Sequence, residues 1–325
     1  MIDRVWPGRR LLLAWPGTRP LGAGAARPAW LAGVRAASNS SSSKRWNQRQ
    51  QNDHYRKEAV LQGLRSRAAY KLLQLDHQYK LFRPGMTVVD LGFAPGSWSQ
   101  VAVDRTSPGG RVVGVDILPC APPKGASAIQ GNFLAPATQD SLRQYVRDHD
   151  RGRPVARDGA APAYLELERE QAAADAAADA GDAGADGTGA GPDADKVVDL
   201  VLSDMSDPWP LVEYPWIRTL SQPHYRMANT SGIGVRDHAM SMDLCDAALT
   251  FAVDMLKVDG HFVCKFFSGP EEKLLEARLK RMFRTVKRNK PEASRKASRE
   301  MFFVATRRKK NVSYEDVYLT SERVW

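Results

Sequence analysis

Val88-Val89-Asp90-Leu91-Gly92-Phe93-Ala94-Pro95-Gly96-Ser97-Trp98 joins a buried-strand pattern to a glycine-rich turn and then to a helix start. The apolar run ending at Asp90 reads as a strand, and Gly92 and Gly96 permit backbone angles and close approaches that a Cβ would block. Ser97 and Trp98 open a helical pattern. Twenty-four residues beyond Gly92, the run Arg111-Val112-Val113-Gly114-Val115-Asp116 reads as a second strand ending in an acid of the kind that pairs with ribose hydroxyls. This order is that of a Rossmann-like crevice. It makes Pro95, Gly96, Ser97 and Asp116 candidates for holding a nucleotide-like cofactor. The loop has neither the G-x-G-x-x-G fingerprint nor G-x-x-x-x-G-K-[ST], so no pyrophosphate cradle is expected. A cofactor without phosphates, such as S-adenosylmethionine, fits better. For a lone glycine loop, a tight turn without ligand is the plain alternative, and Asp116 weighs against it.

Outward from this unit, apolar residues Ala69, Leu72, Leu73 and Tyr79 recur at helical spacing between Ser66 and Tyr79, and Pro84-Gly85 closes that helix before the first strand. Strands are expected at 86–91, 111–116, 197–203, 260–267 and 300–306, with helices near 97–105, 138–148, 238–257 and 270–284. The alternation specifies an α/β fold with a doubly wound, mostly parallel sheet and helices on both faces. Periodicity leaves open whether the strand at 300–306 pairs antiparallel at an edge or inserts between neighbours. Residues 151–195 are dominated by Ala, Gly and Asp, too poor in large apolar side chains to fold alone, and read as a disordered insertion. A second insertion, Asp207 to Ile233, carries Trp209 and Trp216 among prolines and is aromatic enough to be ordered.

The chain has 325 residues, 43% of them hydrophobic, enough for a sizeable core. Its net charge of +10 suggests a polyanionic partner, although a leader can contribute to such an excess. Residues 1–43 contain Arg4, Arg9, Arg10, Arg19, Arg27 and Arg35 against the single acid Asp3, with a serine run behind, which is the composition of a mitochondrial presequence. A matrix location follows as an expectation, with residues 44–325 as one domain. A disordered basic tail is the alternative. Cys120, Cys245 and Cys264 match no metal-ligand spacing, so neither a zinc site nor a disulfide framework is expected. No apolar run reaches the ~18 residues that a membrane span needs.

Four residues stand out as a catalytic set: Lys71 on the first helix, Asp204 at the end of the strand at 197–203, Lys265 inside Phe262-Val263-Cys264-Lys265-Phe266-Phe267, and Glu300. A lysine inside an apolar strand is expensive to bury unless paired or used, and strand carboxyl ends are where doubly wound sheets put ligands. Each alone could be a structural ion pair, Glu300 above all, but the joint pattern is harder to dismiss.

These positions fall within segments by which the chain resembles the FtsJ/RrmJ family of ribosomal RNA 2′-O-methyltransferases, in particular its fungal mitochondrial large-subunit members. The segments are Arg65-Ser66-Arg67-Ala68-Ala69-Tyr70-Lys71-Leu72, the stretch Asp90 to Gln100, Ser203-Asp204-Met205, Val263-Cys264-Lys265-Phe266, and Lys290 to Arg295 followed by Ser298-Arg299-Glu300. The mitochondrial refinement rests on the leader and on Ser231-Gly232 with Asp237 to Cys245. The resemblance covers about residues 60 to 310, except the acidic insertion. It implies that Lys71, Asp204, Lys265 and Glu300 form the family's Lys-Asp-Lys-Glu tetrad, and that Gly96, Trp98, Asp116 and Asp204 line the S-adenosylmethionine site. The family usually has Gly-Asp-Phe where this chain has Gly131-Asn132-Phe133, so Asn132 would face adenine without a charge. The family's Ser-Asp-Met-Ala-Pro run is altered too, since Ser206-Asp207 follow Met205.

The expected reaction is transfer of a methyl group to a ribose 2′-oxygen, with the uridine and the peptidyl-transferase region implied by resemblance only. Lys265 would be the general base, Lys71 the neighbouring cation favouring its neutral form, Asp204 the holder of its amine, and Glu300 the positioner of Lys71 or the ribose. RNA, free or in a pre-ribosomal particle, is expected to meet two basic zones. One comprises Lys44, Arg45, Arg49, Arg56, Lys57, Arg65 and Arg67; the other runs from Lys280, Arg281 and Arg284 through Lys287 and Arg288 to Lys290, Arg295 and Lys296. Trp46, His54 and Tyr55 are candidate base-stacking residues. A tRNA or cap 2′-O-methyltransferase, and a non-catalytic ribosome-assembly factor, are the competing readings.

Overall fold

The computed structural model describes residues 53–149, 151–153, 193, 195–207, 209–210 and 227–319, all within one compact unit, Gln51–Trp325. The expected presequence, Trp46, nearly all of the insertion at 151–195 and residues 208 and 211–226 of the second one lie outside the described residues. In chain order the elements are α1 (His54–Leu61), α2 (Ala68–Tyr79), β1 (Thr87–Leu91), α3 (Ser97–Thr106), β2 (Arg111–Asp116), β3 (Ala126–Gln130), α4 (Pro136–Arg147) and β4 (Val198–Ser203). A short ribbon of β5 (Trp209–Pro210) and β6 (Met227–Ala228) follows, then α5 (Gly234–Met255), β7 (Leu256–Phe267), α6 (Glu272–Met282), β8 (Phe283–Asn289), β9 (Glu300–Arg308) and α7 (Tyr314–Tyr318).

The main sheet has seven strands in the order β3-β2-β1-β4-β7-β9-β8. The first five are mutually parallel, and β9 runs antiparallel to both β7 and β8. Of the two placements that periodicity left open for the strand at 300, the chain takes the inserted one. All five residues of β1 are buried, which is why its apolar run is continuous rather than alternating: a parallel strand covered on both faces has no solvent side.

Period-two alternation deals successive residues to the two faces. Val88, Leu200, Leu202, Val263, Phe302 and Val304 pack under α2 and α3. Val89, Val201, Phe262, Cys264, Phe266 and Phe303 pack under α4, α5 and α6, with Phe266 and Phe303 stacked at 4.3 Å. The same arithmetic decides where the chemistry goes. Lys265 is two residues from Val263 and Glu300 two from Phe302, so both belong to the face covered by α2, the helix that carries Lys71.

Several boundaries differ from the sequence expectation. The helix expected at 270–284 stops at Met282, because Phe283 turns into the core as the first residue of β8, and Arg284, Lys287 and Arg288 therefore lie on a strand. The helix expected at 238–257 starts at Gly234 and yields to β7 at Leu256. Strand β3 escaped periodicity because Ala126-Ser127-Ala128-Ile129-Gln130 is small, polar and only half-buried at a sheet edge. Helix α1 also escaped it. It is capped by Asp53, whose side chain accepts from Arg56 N–H, and it buries only Ala59.

Candidate active site

The carboxyl ends of the parallel strands open into a cavity of about 590 Å³. Its floor is set by main-chain hydrogen bonds: Gly92 N–H donates to Val115 C=O at 2.8 Å, and Asp204 N–H donates to Leu91 C=O at 3.1 Å. Gly92 has φ +78°, and a Cβ there would lie 2.8 Å from Met205 Cα, so no other residue fits between β1 and the turn after β4. Asp116 accepts from Ala94 N–H at 2.9 Å through Oδ2 and from Leu118 N–H at 2.8 Å through Oδ1. Burial pushes its carboxyl above the ordinary range, opposed by those N–H groups, that of Ile117, and the Lys265 cation. Each of its oxygens keeps acceptor capacity beyond these bonds.

The other cofactor candidates divide into walls and supports. Pro95 and Ser97 border the cavity, and Ser97 Oγ also receives a hydrogen bond from Ser66 Oγ at 2.8 Å. Trp98 borders it as well but is only 2% exposed. Its indole N–H donates to Ala68 C=O at 2.9 Å, and its ring lies against Phe302. Gly96 is not part of the wall. It starts α3 at φ +98°, and a Cβ there would meet Arg65 Nη1 at 2.8 Å, so this glycine serves the backbone turn and the approach of an arginine from outside. Asn132 borders the cavity, and its side-chain oxygen accepts from Leu134 N–H at 3.0 Å. One acceptor site is thus used locally, while the amide donors bring a polarity that an aspartate lacks.

At the other end, the four polar candidates sort into two pairs. Lys71 Nζ lies 2.7 Å and 2.9 Å from the two oxygens of Glu300, with both side chains 13% exposed. Burial alone would raise the Glu300 carboxyl, but the Lys71 charge and hydrogen bond, helped by Lys265 and Ser294, outweigh it and hold the group below the ordinary range. Lys265 Nζ donates to Asp204 C=O at 2.8 Å and to Ser206 Oγ at 2.5 Å. Asp204 Oδ1 is 3.0 Å from the same nitrogen but off the hydrogen-bond direction, so that carboxylate acts as a nearby counter-charge. Ser206 is a partner that sequence reading noted only as a departure from the family run.

Sequence reading also missed the support for Lys265. Strand β4 ends at Ser203 opposite Cys264, leaving β7 to run on without a neighbour on that side. Side chains of α5 complete the ladder. Cys245 Sγ donates to Lys265 C=O at 3.1 Å, Ser241 Oγ accepts from Phe267 N–H at 3.1 Å, and His238 Nδ1 lies 2.6 Å from Phe267 C=O. The Glu271 N–H donates to His238 Nε2 at 3.2 Å, which makes Nδ1 the protonated nitrogen. These residues lie in the Asp237-to-Cys245 segment, singled out earlier only for its resemblance.

The two expected basic zones are reshaped. Lys44, Arg45 and Arg49 lie outside the described residues, while Arg56 and Lys57 are exposed on α1. Arg67 is tied to Asp53 and to Ala293 C=O, and Arg65 to backbone carbonyls. In the second zone, Lys290, Arg295 and Lys296 follow the end of β8 near Glu300, whereas Lys280, Arg281 and Arg284 lie at the opposite end of that strand. Lys290 donates to Lys296 C=O and Ser298 C=O, shaping its own loop. Tyr55 is half-buried against Tyr70 and Arg67, so it is a packing residue and not an open platform; His54 is exposed.

The FtsJ-like methyltransferase family matches residues 64–308. The chain is 42% identical over 301 residues to the Saccharomyces cerevisiae protein "rRNA methyltransferase 2, mitochondrial", covering 87% of this chain and 93% of that one. A Schizosaccharomyces pombe protein of the same name is 36% identical over 81% of this chain and 95% of its own. "Ribosomal RNA large subunit methyltransferase E" of Rhodospirillum rubrum is 37% identical over 83% and 78%. With this match across the sheet, the cavity and both Lys–acid pairs, the chain belongs to the FtsJ-like methyltransferase family.

Proposed function

We propose that this protein uses S-adenosylmethionine to methylate a ribose 2′-oxygen, a uridine by resemblance, in mitochondrial large-subunit rRNA. The observation that carries the reading is the meeting, in one cavity, of a crevice bearing Asp116 with two Lys–acid pairs. Asp116, Asp204 and Glu300 border that cavity, and among the described residues no glycine-rich N–H cradle for phosphates accompanies them. Such a set suits a cationic cofactor with ribose hydroxyls. Asp116 would hold those hydroxyls, and Pro95, Ser97, Trp98 and Asn132 would border the rest of the cofactor. Gly96 contributes through its turn.

S-adenosylmethionine, when bound, supplies a sulfonium methyl group for transfer. Lys265 takes the proton of the attacking 2′-hydroxyl. Its two directed hydrogen bonds, to Asp204 C=O and Ser206 Oγ, fix the amine at the cavity wall. Asp204 stabilises the ammonium that forms, and Glu300 fixes Lys71 as a cation beside the substrate oxygen. Alignment and proton removal are the protein's share of the rate. RNA would reach the cavity past Arg56, Lys57, Arg295 and Lys296, and affinity should fall steeply with salt.

Residues 1–43 would act as a mitochondrial presequence, and the names of the fungal relatives support that location. The deciding experiment supplies labelled S-adenosylmethionine to mitochondrial large-subunit rRNA lacking the modification, free and in pre-ribosomal particles. The expected product is an alkali-resistant 2′-O-methyl dinucleotide, lost about 100-fold or more in Lys265→Ala with cofactor binding retained. Binding of cofactor and rRNA without transfer to either substrate would replace the enzyme with an assembly factor.

A further inference from the structure

We infer that Arg65 is a positioning residue for the cofactor and not an RNA contact: its guanidinium fastens together the two loops that border the cofactor end of the cavity. The inference rests on the reading of that end as the S-adenosylmethionine site.

The loop after β1 contains Pro95, and the loop after β2 runs Leu118-Pro119-Cys120-Ala121-Pro122-Pro123. Each proline removes a backbone N–H, so these loops are rich in carbonyl acceptors and poor in donors that could join them. Arg65 supplies the missing donors. Nη1 donates to Pro95 C=O at 2.9 Å and to Ala121 C=O at 2.6 Å, and Nη2 donates to Pro122 C=O at 3.0 Å. One planar group thus spans two loops, which a lysine's single ammonium cannot reproduce in the same geometry.

The arginine is itself fixed. Its backbone N–H donates to Gln100 Oε1 at 3.1 Å, and Gln100 Nε2 donates to Gly63 C=O at 3.0 Å, so the approach to α2 is tied to α3. Gly96 leaves the space through which the guanidinium reaches, since a Cβ would sit 2.8 Å from Nη1 and 3.5 Å from Cδ. Arg65 does not border the cavity, whereas Pro95, Asp116, Ile117 and Leu118 do. Its influence therefore passes through loop position. The neighbours Ser66 and Ala68 are bonded to Ser97 and Trp98, so the whole segment leads from the cofactor loop into the helix that carries Lys71.

The test compares the full chain with Arg65→Ala, Arg65→Lys and an Arg56→Ala/Lys57→Ala double variant. Isothermal titration measures S-adenosylmethionine and S-adenosylhomocysteine binding, filter binding measures rRNA affinity against salt, and thermal unfolding measures stability. For Arg65→Ala the expected result is about a tenfold weaker Kd for both cofactor forms, with rRNA affinity and its salt slope unchanged. Arg65→Lys should recover only part of the cofactor affinity, and the double variant should show the reverse pattern, weakened RNA and unchanged cofactor. Cofactor binding equal to wild type in Arg65→Ala overturns the inference, as does a loss confined to RNA or a fall in thermal midpoint that weakens both ligands alike. Failure of the wild-type chain to bind either cofactor form would overturn the cofactor-site reading itself, and the inference with it.

Discussion

At the β1–β2 end of the cavity the chain offers main-chain groups, a glycine packed against Met205, and a carboxyl held by backbone N–H groups. At the β7–β9 end it offers two long cations, each held by an acid from a distant part of the sequence. The first end is made of neighbours: Gly92, Ala94 and Asp116 lie within a single βαβ unit. The second is made across the fold, with Lys71 and Glu300 separated by 229 positions. The contrast teaches that local backbone geometry suffices to shape a pocket, whereas paired charges lining it are held by tertiary structure.

The contrast is most severely tested at the far end. Glu300→Ala leaves the Lys71 cation half-enclosed without its partner, and breaking a buried pair on one side costs about 3 kcal/mol. Methyl transfer should fall about 100-fold or more while cofactor affinity stays within a few-fold. Urea unfolding and single-turnover kinetics read the two effects, and a parallel loss of cofactor affinity would mean that the two ends are not separable. At the near end, Asp116→Asn removes a charge but keeps an acceptor, so S-adenosylmethionine binding should weaken about tenfold with RNA affinity unchanged. Calorimetry of both ligands checks this, and unaltered cofactor binding would remove Asp116 from the site.

The smallest effect sharpens the comparison through pH. Asp90 is fully buried at the end of β1, with Oδ2 accepting from Ser99 Oγ at 2.7 Å and Oδ1 without a partner. Burial raises its carboxyl to about 7, with Asp204 and Asp116 adding to the rise against the Ser99 hydrogen bond. A folded-state value above the unfolded one means that its contribution to stability is full below about pH 4 and lost as pH rises to about 7. Glu300 has the opposite sign: its contribution is present above the ordinary carboxylate range and lost as pH falls through its lowered value. Asp90→Asn keeps the acceptor for Ser99. It should therefore gain stability relative to wild type between pH 4 and 7, by up to about 1.4 kcal/mol per pH unit. Denaturant titrations across that range measure the difference, and parallel curves for the two proteins would refute the assignment.

How much of this was legible beforehand follows the same division. The crevice could be read from glycines, an apolar run and a terminal acid because its parts are consecutive. Lys265 was visible because a lysine interrupts an apolar strand, and Glu300 only as one member of a joint pattern of four, since alone it reads as a structural ion pair. Ser206 and the His238, Ser241 and Cys245 supports were not legible, because each acts on a strand whose position in the sheet no local pattern specifies. Tyr55, Arg65 and Arg67 were read as RNA-facing from charge and aromaticity, yet their partners, Tyr70, the proline-rich loops, Asp53 and Ala293, are matters of packing. Strand β8 hid behind its own cations, since Arg284, Lys287 and Arg288 following a helix read as more helix.

The insertion of β9 between β7 and β8 has a consequence for the order in which this protein becomes competent. The five parallel strands are made first and can assemble among themselves, but until Glu300–Arg308 joins, β7 is a bare edge and Lys71 has no carboxylate. The last of the described strands in chain order is thus the one that supplies this carboxylate, and the ion pair it completes joins positions far apart along the chain. A nascent or partly threaded chain can present a finished crevice at the β1–β2 end and still lack the ion pair at the other.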